Sequence, residues 1–154
     1  MIGALARGRA GYAMFTRDPD HWLFKLDPHE WIRTGLVELR RAEALYQEHN
    51  AQGGLASARR AAGMALNGAL IVEPSDDYGR SYVDHLRALE RDDRVPAAVR
   101  DAAHVLLSTQ PPGPSLISLR SAKSDERVLE AARDVIAHAF ARVKRVEPYH
   151  AGEA

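Results

Sequence analysis

The chain has 154 residues, a length that fits one domain and allows it to bury a sizeable core. Lys plus Arg and Asp plus Glu number 21 each, so the formal net charge is zero, and this balance does not predict strong nonspecific binding to nucleic acid or to an acidic membrane. Cysteine is absent, which excludes disulfides, thiolate zinc sites and cysteine nucleophiles, and no apolar run reaches membrane-spanning length.

Residues 1–27 are predicted to form an N-terminal extension. The first seventeen residues, MIGALARGRAGYAMFTR, contain arginine and no acidic residue, which resembles a transit peptide. Their apolar run is too short for a secretory signal. We therefore interpret this segment as an extended start or flexible arm of a cytoplasmic protein that has no membrane contact.

Two long helices are predicted after the extension. Asp27 can cap a helix that begins at Pro28, and Glu30 lies three residues after the cap. Asn50 and the Gly53–Gly54 pair are expected to end this helix. Its apolar residues recur at helical spacing: Ile32, Leu36, Leu39, Ala42, Leu45 and Tyr46. The second helix carries a stripe of small residues that lets another helix approach closely: Ala58, Ala62, Ala65 and Ala69.

Three further helical segments follow, separated by turns. The sequence EPSDDYG predicts a turn, ERDDRVP a break, and STQPPGPS a rigid loop that precedes a last helix beginning near Ser124. The third helix should face inward with Tyr82, Val83, Leu86 and Leu89, and the fourth with Val99, Ala102, Ala103 and Leu106. The stretch SLISL, at 115–119, is the only strand-like segment, and it has no partner strand.

These elements predict an all-α protein with an antiparallel four- to five-helix bundle. The bundle should occupy residues 28–145, and residues 146–154 should form a flexible tail. Short connections favour antiparallel neighbours, because a short loop returns the chain beside the helix that it has just left.

The sequence contains few motifs for chemistry. It lacks a glycine-rich phosphate loop, and the only Glu-x-x-His pair, Glu147 with His150, is interrupted by proline, so we predict neither a cofactor nor a metal. His85 is interpreted as a residue at the border of the inward face that has a hydrogen-bond partner.

One short stretch deserves a functional interpretation: RDVIAH, from Arg133 to His138. An arginine followed four to six residues later by a histidine is the motif of the HEPN family (higher eukaryotes and prokaryotes nucleotide-binding), whose members are helical bundles. Asp134 directly after the arginine and Phe140 two positions beyond the histidine also fit the family pattern. With the order of helices, the resemblance covers about residues 28–145.

The resemblance implies a homodimer that binds RNA or a nucleotide, with a nucleotidyltransferase-type protein as a further possible partner. It also implies metal-free RNA cleavage by Arg133, Asp134 and His138, in which the histidine moves a proton and the arginine stabilises charge on the phosphate. At about 100° per residue, Arg133 and His138 lie about 140° apart, so they cannot both face one pocket on a straight isolated helix. The resemblance implies that dimerisation brings motifs from two chains together.

Two alternatives are also consistent with the sequence. The last helix reads as acidic residues followed by an alanine-rich amphipathic run, which is equally typical of noncatalytic HEPN relatives. The chain could then be an interaction or dimerisation module, with Arg133 and His138 as solvated residues beside the buried stripe. The second alternative is a bundle of a different family whose helices have similar patterns.

Overall fold

The computed structural model of the chain describes residues 22–111 and 122–153, with side chains at 22–111 and 123–146. Five α-helices lie within these ranges: α1 (Pro28–Gln47), α2 (Ala51–Val72), α3 (Tyr82–Arg91), α4 (Ala97–Ser108) and α5 (Ala122–Glu153). Short 3₁₀ helices lie at Trp22–Lys25 and Asp76–Tyr78. The described residues contain no strand, which confirms the all-α class for them, and the SLISL stretch lies outside them.

The start of α1 follows the capping prediction. The backbone N–H of Glu30 donates to Asp27 Oδ1 at 2.8 Å, and the backbone N–H of Asp27 donates to Glu30 Oε1 at 3.0 Å. Ordered packing begins before this cap, within the segment assigned to the extension. Leu23 is buried, and its carbonyl accepts a hydrogen bond of 2.8 Å from Trp31 Nε1.

The connection between α1 and α2 differs from the prediction. Asn50 and the two glycines were expected to end the first helix, but the Asn50 side chain accepts from the backbone N–H of Gly53 and caps α2 instead. Gly53 and Gly54 therefore belong to the first turn of α2. Gly54 is needed there because a Cβ at this position would come within 2.7 Å of the Tyr46 ring.

Helix α2 is the central helix of the bundle. It packs against α1, α3, α4 and α5, and the predicted stripe of small residues is buried: Ala58, Ala62, Ala65 and Ala69. Helix α1 approaches so closely that a Cβ on Gly35 would lie 2.8 Å from the carbonyl oxygen of Ala61. The small residues of α2 therefore allow neighbouring helices to pack closely against its backbone on several sides.

Helix α1 runs antiparallel to both α2 and α5. Along α2, Tyr46 lies against Gly54 whereas Pro28 lies against Gly68, so the contacts progress in opposite directions. Along α5, His29 near the start of α1 meets Phe140, and Glu43 near its end meets Arg133. A helical bundle with antiparallel neighbours is thus present in the described residues.

The inward face of α3 is rotated relative to the prediction. Leu86 and Leu89 are buried as expected, but Val83 is 37% exposed, and His85 takes the inward position with no exposed surface. Its Nδ1 lies 2.6 Å from the Tyr78 carbonyl oxygen, and its Nε2 lies 2.8 Å from Asn67 Oδ1. The expected hydrogen-bond partner is present, but the border position was wrong, because hydrogen bonds to Tyr78 and Asn67 hold the ring inside.

The buried His85 is best described as a neutral imidazole. Burial lowers its pKa below the usual value for histidine, and a neutral ring carries a single N–H donor. We assign that hydrogen to Nδ1, which donates to Tyr78. A 180° rotation of the Asn67 amide then presents its otherwise unpaired NH₂ group to Nε2.

Helices α4 and α5 follow their predicted patterns. The guanidinium of Arg59 donates to the carbonyls of Leu106 and Thr109 and so fixes the end of α4 against α2. The buried stripe of α5 contains the residues expected for it: Val128, Ala132, Val135, Ile136, Ala139 and Val143. The helical backbone of α5 continues to Glu153, through the segment that the sequence assigned to a tail.

The burial of His85 predicts a loss of stability in mild acid. Its folded pKa lies below its unfolded value of about 6.5, so the unfolded chain binds more protons as pH falls through that range. The contribution of the neutral His85 to the free energy of unfolding is therefore fully present above about pH 6.5 and decreases below that pH. Urea unfolding at pH 7.5 and pH 5.5 should show a smaller pH effect in His85→Gln than in the wild type. An equal pH effect in both proteins would contradict the neutral, buried state of His85.

Candidate functional site

The three candidate residues of the RDVIAH stretch, Arg133, Asp134 and His138, lie in the middle of α5. Arg133 faces α1. Its Nη2 donates to Glu43 Oε1 at 3.1 Å, and its Nη1 donates to Glu126 Oε1 at 3.3 Å. The side chain is 44% exposed, and both carboxylates are also accessible to water. Surface ion pairs of this type contribute little to stability, so they orient Arg133 without burying it.

His138 lies on the other flank of α5 and is half-buried. Its Nε2 has neither accessible surface nor a hydrogen-bond partner. Burial lowers the pKa of His138, and the positive charges of Arg142 and Arg145 lower it further, whereas Glu73 and Asp92 act in the opposite direction. The imidazole is therefore neutral at pH 7, a state in which one nitrogen can accept a proton.

Within one chain, the structure does not bring Arg133 and His138 together. Arg133 points to the α1 side of α5, whereas the carboxylates that act on His138, Glu73 and Asp92, lie at the ends of α2 and α3. Asp134 is exposed on the ridge between these flanks. A single chain consequently offers no site in which the arginine could stabilise a phosphate while this histidine transfers a proton.

A solvent-open groove of about 410 Å³ lies between α1 and α5 on the Arg133 side. Leu36 is 39% exposed and Phe140 is 44% exposed, although Leu36 was predicted to lie in the core. The rings of His29 and Phe140 meet at one end, with centroids 6.4 Å apart. The groove is lined by His29, Ile32, Arg33, Leu36, Arg133, Ile136, Ala137 and Phe140.

The sequence contained a signal for this groove that the core prediction overlooked. At about 100° per residue, Leu36 lies about 120° from the buried Ala42, which places Leu36 at the edge of the buried stripe of α1. Phe140 likewise lies beside the buried stripe of α5 and not within it. Apolar residues displaced from the stripe on both helices indicate an additional apolar surface.

A polar cluster occupies the other flank of α5. Glu73 accepts hydrogen bonds from Arg142 at 3.2 Å and from Arg145 at 2.7 Å. Beside it, the Tyr78 hydroxyl donates to Asp92 Oδ2 at 2.9 Å, and Arg94 also pairs with Asp92. We call Glu73, Tyr78, Asp92, Arg94, His138, Arg142 and Arg145 the polar cluster. Its members come from distant parts of the chain, so no local pattern predicted it.

The electrostatics of the cluster follow from these contacts. The Arg94 side chain and the Tyr78 hydroxyl lower the pKa of Asp92 to about 2, against the smaller effect of its burial. Burial and the hydrogen bond to Asp92 raise the pKa of Tyr78 to about 12. Asp92 is therefore ionised and Tyr78 protonated across the physiological pH range, and neither is available as an acid or base near pH 7.

The described residues were also searched for metal sites and membrane-spanning helices, and the chain was compared with known proteins. The described residues contain no group of three or more side chains suited to hold a metal ion, and no described helix is long and apolar enough to cross a membrane. The side chains of Glu147 and His150 lie outside the described residues. Comparisons of the chain with protein-family models, curated proteins and solved structures gave no match.

Proposed function

We propose that the chain is a protein-interaction module that self-associates through the groove between α1 and α5. The observation that carries this proposal is the clustered exposure of Leu36 and Phe140 beside the apolar groove lining. Contiguous apolar surface of this kind marks interaction sites in soluble proteins. Full burial of one phenylalanine side chain contributes about 1.5–3 kcal/mol, and a symmetric dimer makes this contact twice.

The charges around the groove support a second copy as the partner. Arg33 and Arg40 are exposed along α1, whereas Glu130 and Asp134 are exposed along the neighbouring ridge of α5. Positively and negatively charged side chains therefore lie on the same face of the bundle. In a dimer with twofold symmetry, the basic part of each face can meet the acidic part of the other, which favours self-association over repulsion.

A second candidate function is RNA- or nucleotide-associated chemistry of the HEPN type, with a nucleotidyltransferase-type protein as one possible partner. The neutral imidazole of His138, whose Nε2 has no hydrogen-bond partner, is the observation that favours it. Because Arg133 lies on the other flank, the arginine would have to come from a second chain. Asp134, exposed between the two flanks, would lie within the same interface.

The self-association proposal predicts that Phe140→Asp dissociates the protein. A charge placed in an apolar interface loses its hydration without gaining a partner. Sedimentation equilibrium should give the wild type twice the chain mass of 17.0 kDa and the variant the single mass. Val83→Asp is the matched control, because Val83 is similarly exposed but lies on α3. A wild type that stays monomeric at every accessible concentration would contradict the proposal.

The RNA proposal predicts a different set of changes. His138→Ala and Arg133→Ala should each abolish cleavage of a single-stranded RNA in EDTA while leaving the thermal midpoint nearly unchanged. Arg133→Lys should restore activity only in part, since lysine lacks the planar fork that binds phosphate. If all three variants cleave at the wild-type rate, or if the wild-type protein does not cleave RNA, then RDVIAH has no catalytic role and is only part of a helix.

A further inference from the structure

We propose that His138, Arg142 and Arg145 form a binding site for a phosphate-type oxyanion, and that the Glu73 carboxylate occupies this site in the free protein. The site lies on the flank of α5 opposite the groove, so the inference is independent of self-association. It uses the polar cluster, in which the proposed RNA chemistry assigns a role to His138 but none to Glu73, Arg142 or Arg145.

Two nitrogen atoms without hydrogen-bond partners are the first support for the site. Nε2 of His138 and Nε of Arg142 are both inaccessible to water and make no hydrogen bond. The two residues are four positions apart on α5, so their side chains are neighbours on one face of the helix. Buried polar atoms are almost always paired, and two adjacent exceptions indicate that a group able to bond both belongs between them.

A single acceptor group can satisfy both atoms when the imidazole hydrogen of His138 is on Nε2. Arginine Nε only donates, and imidazole Nε2 donates when the ring is protonated or when the neutral tautomer carries its hydrogen there. An oxyanion provides several acceptor oxygens and a negative charge for the adjacent guanidinium groups. Phosphate fits this requirement, because arginine pairs with two of its oxygens in a planar fork and further oxygens remain to accept from other donors.

Glu73 shows how an anion is held at this place. One carboxylate oxygen accepts from Arg145 at 2.7 Å, and the other accepts from Arg142 at 3.2 Å. The arginines thus already bind a planar anion with two oxygens. Arg145 is 66% exposed and Glu73 is 31% exposed, so both can move aside, whereas Arg142 lies deeper at 19%. A phosphate bound here would take the place of the Glu73 carboxylate on the two guanidinium groups.

The surrounding charges favour an incoming anion once Glu73 has left. Asp92 is the other carboxylate of the cluster, and its charge is already balanced by Arg94 and by the Tyr78 hydroxyl. Removal of the Glu73 carboxylate therefore leaves Arg142 and Arg145 without a counter-charge. Such charge-assisted hydrogen bonds are stronger than neutral ones, which supports specific binding at a small site.

The test is a titration with inorganic phosphate at constant ionic strength, followed by the ring signals of His138 in NMR spectra. Bound phosphate should raise the pKa of His138, because a nearby negative charge favours the imidazolium. Glu73→Gln keeps the shape of the side chain but removes the competing charge, so it should bind phosphate about tenfold more tightly than the wild type. Glu43→Gln is the matched control, because it releases Arg133 on the other flank and should leave the affinity unchanged.

A second variant keeps the proposal testable if Glu73→Gln perturbs folding. Arg145→Gln changes a largely exposed side chain and should weaken phosphate binding about tenfold with an unchanged circular dichroism spectrum. Parallel titrations with AMP and a short 5′-phosphorylated RNA distinguish a free ion from a nucleotide as the source of the phosphate. If phosphate leaves the His138 pKa unchanged in both the wild type and Glu73→Gln, or if Glu73→Gln binds no better than Glu43→Gln, the proposal is wrong.

Discussion

The close packing around α2 is the constraint on which the rest of the described structure depends. Alanine and glycine make up half of the residues of this helix, so α1 approaches until the Gly35 backbone meets the Ala61 carbonyl. The Tyr46 ring lies over Gly54 in the same seam, so a larger side chain on α2 would have to displace the neighbouring helix. Larger residues on the surrounding helices, such as Leu86, Leu106 and Val135, supply the apolar volume that α2 lacks.

This central helix also determines what the two flanks of α5 contact. Because α1 and α5 both pack on α2, they lie beside each other and leave the groove of Leu36 and Phe140 between them. The opposite flank of α5 meets the end of α2, where Glu73 receives two arginines. Arg133 and His138 are thus assigned to two different surfaces by the packing of the core. One surface is apolar and suited to a protein partner, and the other is polar and suited to an anion.

The sequence predicted the features that depend on local patterns. The Asp27 cap, the buried alanines of α2 and the stripe of α5 all follow from spacing and capping rules, which act within a few residues. The rotation of α3 was not predicted, because hydrogen bonds to Tyr78 and Asn67, on other segments, hold His85 inside in place of Val83. Leu36 was assigned to the core because its helical spacing places it at the edge of the buried stripe, and spacing does not show how far α5 covers that edge. The polar cluster depends on contacts between Glu73 and residues about 70 positions away, which have no signature in sequence.

The central functional claim is that the α1–α5 face, and not an Arg133–His138 pair within one chain, is the working surface of this protein. Hydrogen–deuterium exchange at high and low protein concentration measures this most directly, because self-association protects amides only where the chains meet. We expect dilution to accelerate amide hydrogen exchange in residues 32–40 and 133–141 and to leave the exchange rates of α3 and α4 unchanged. Exchange that is independent of concentration in both segments, or a change centred on α3, would contradict it.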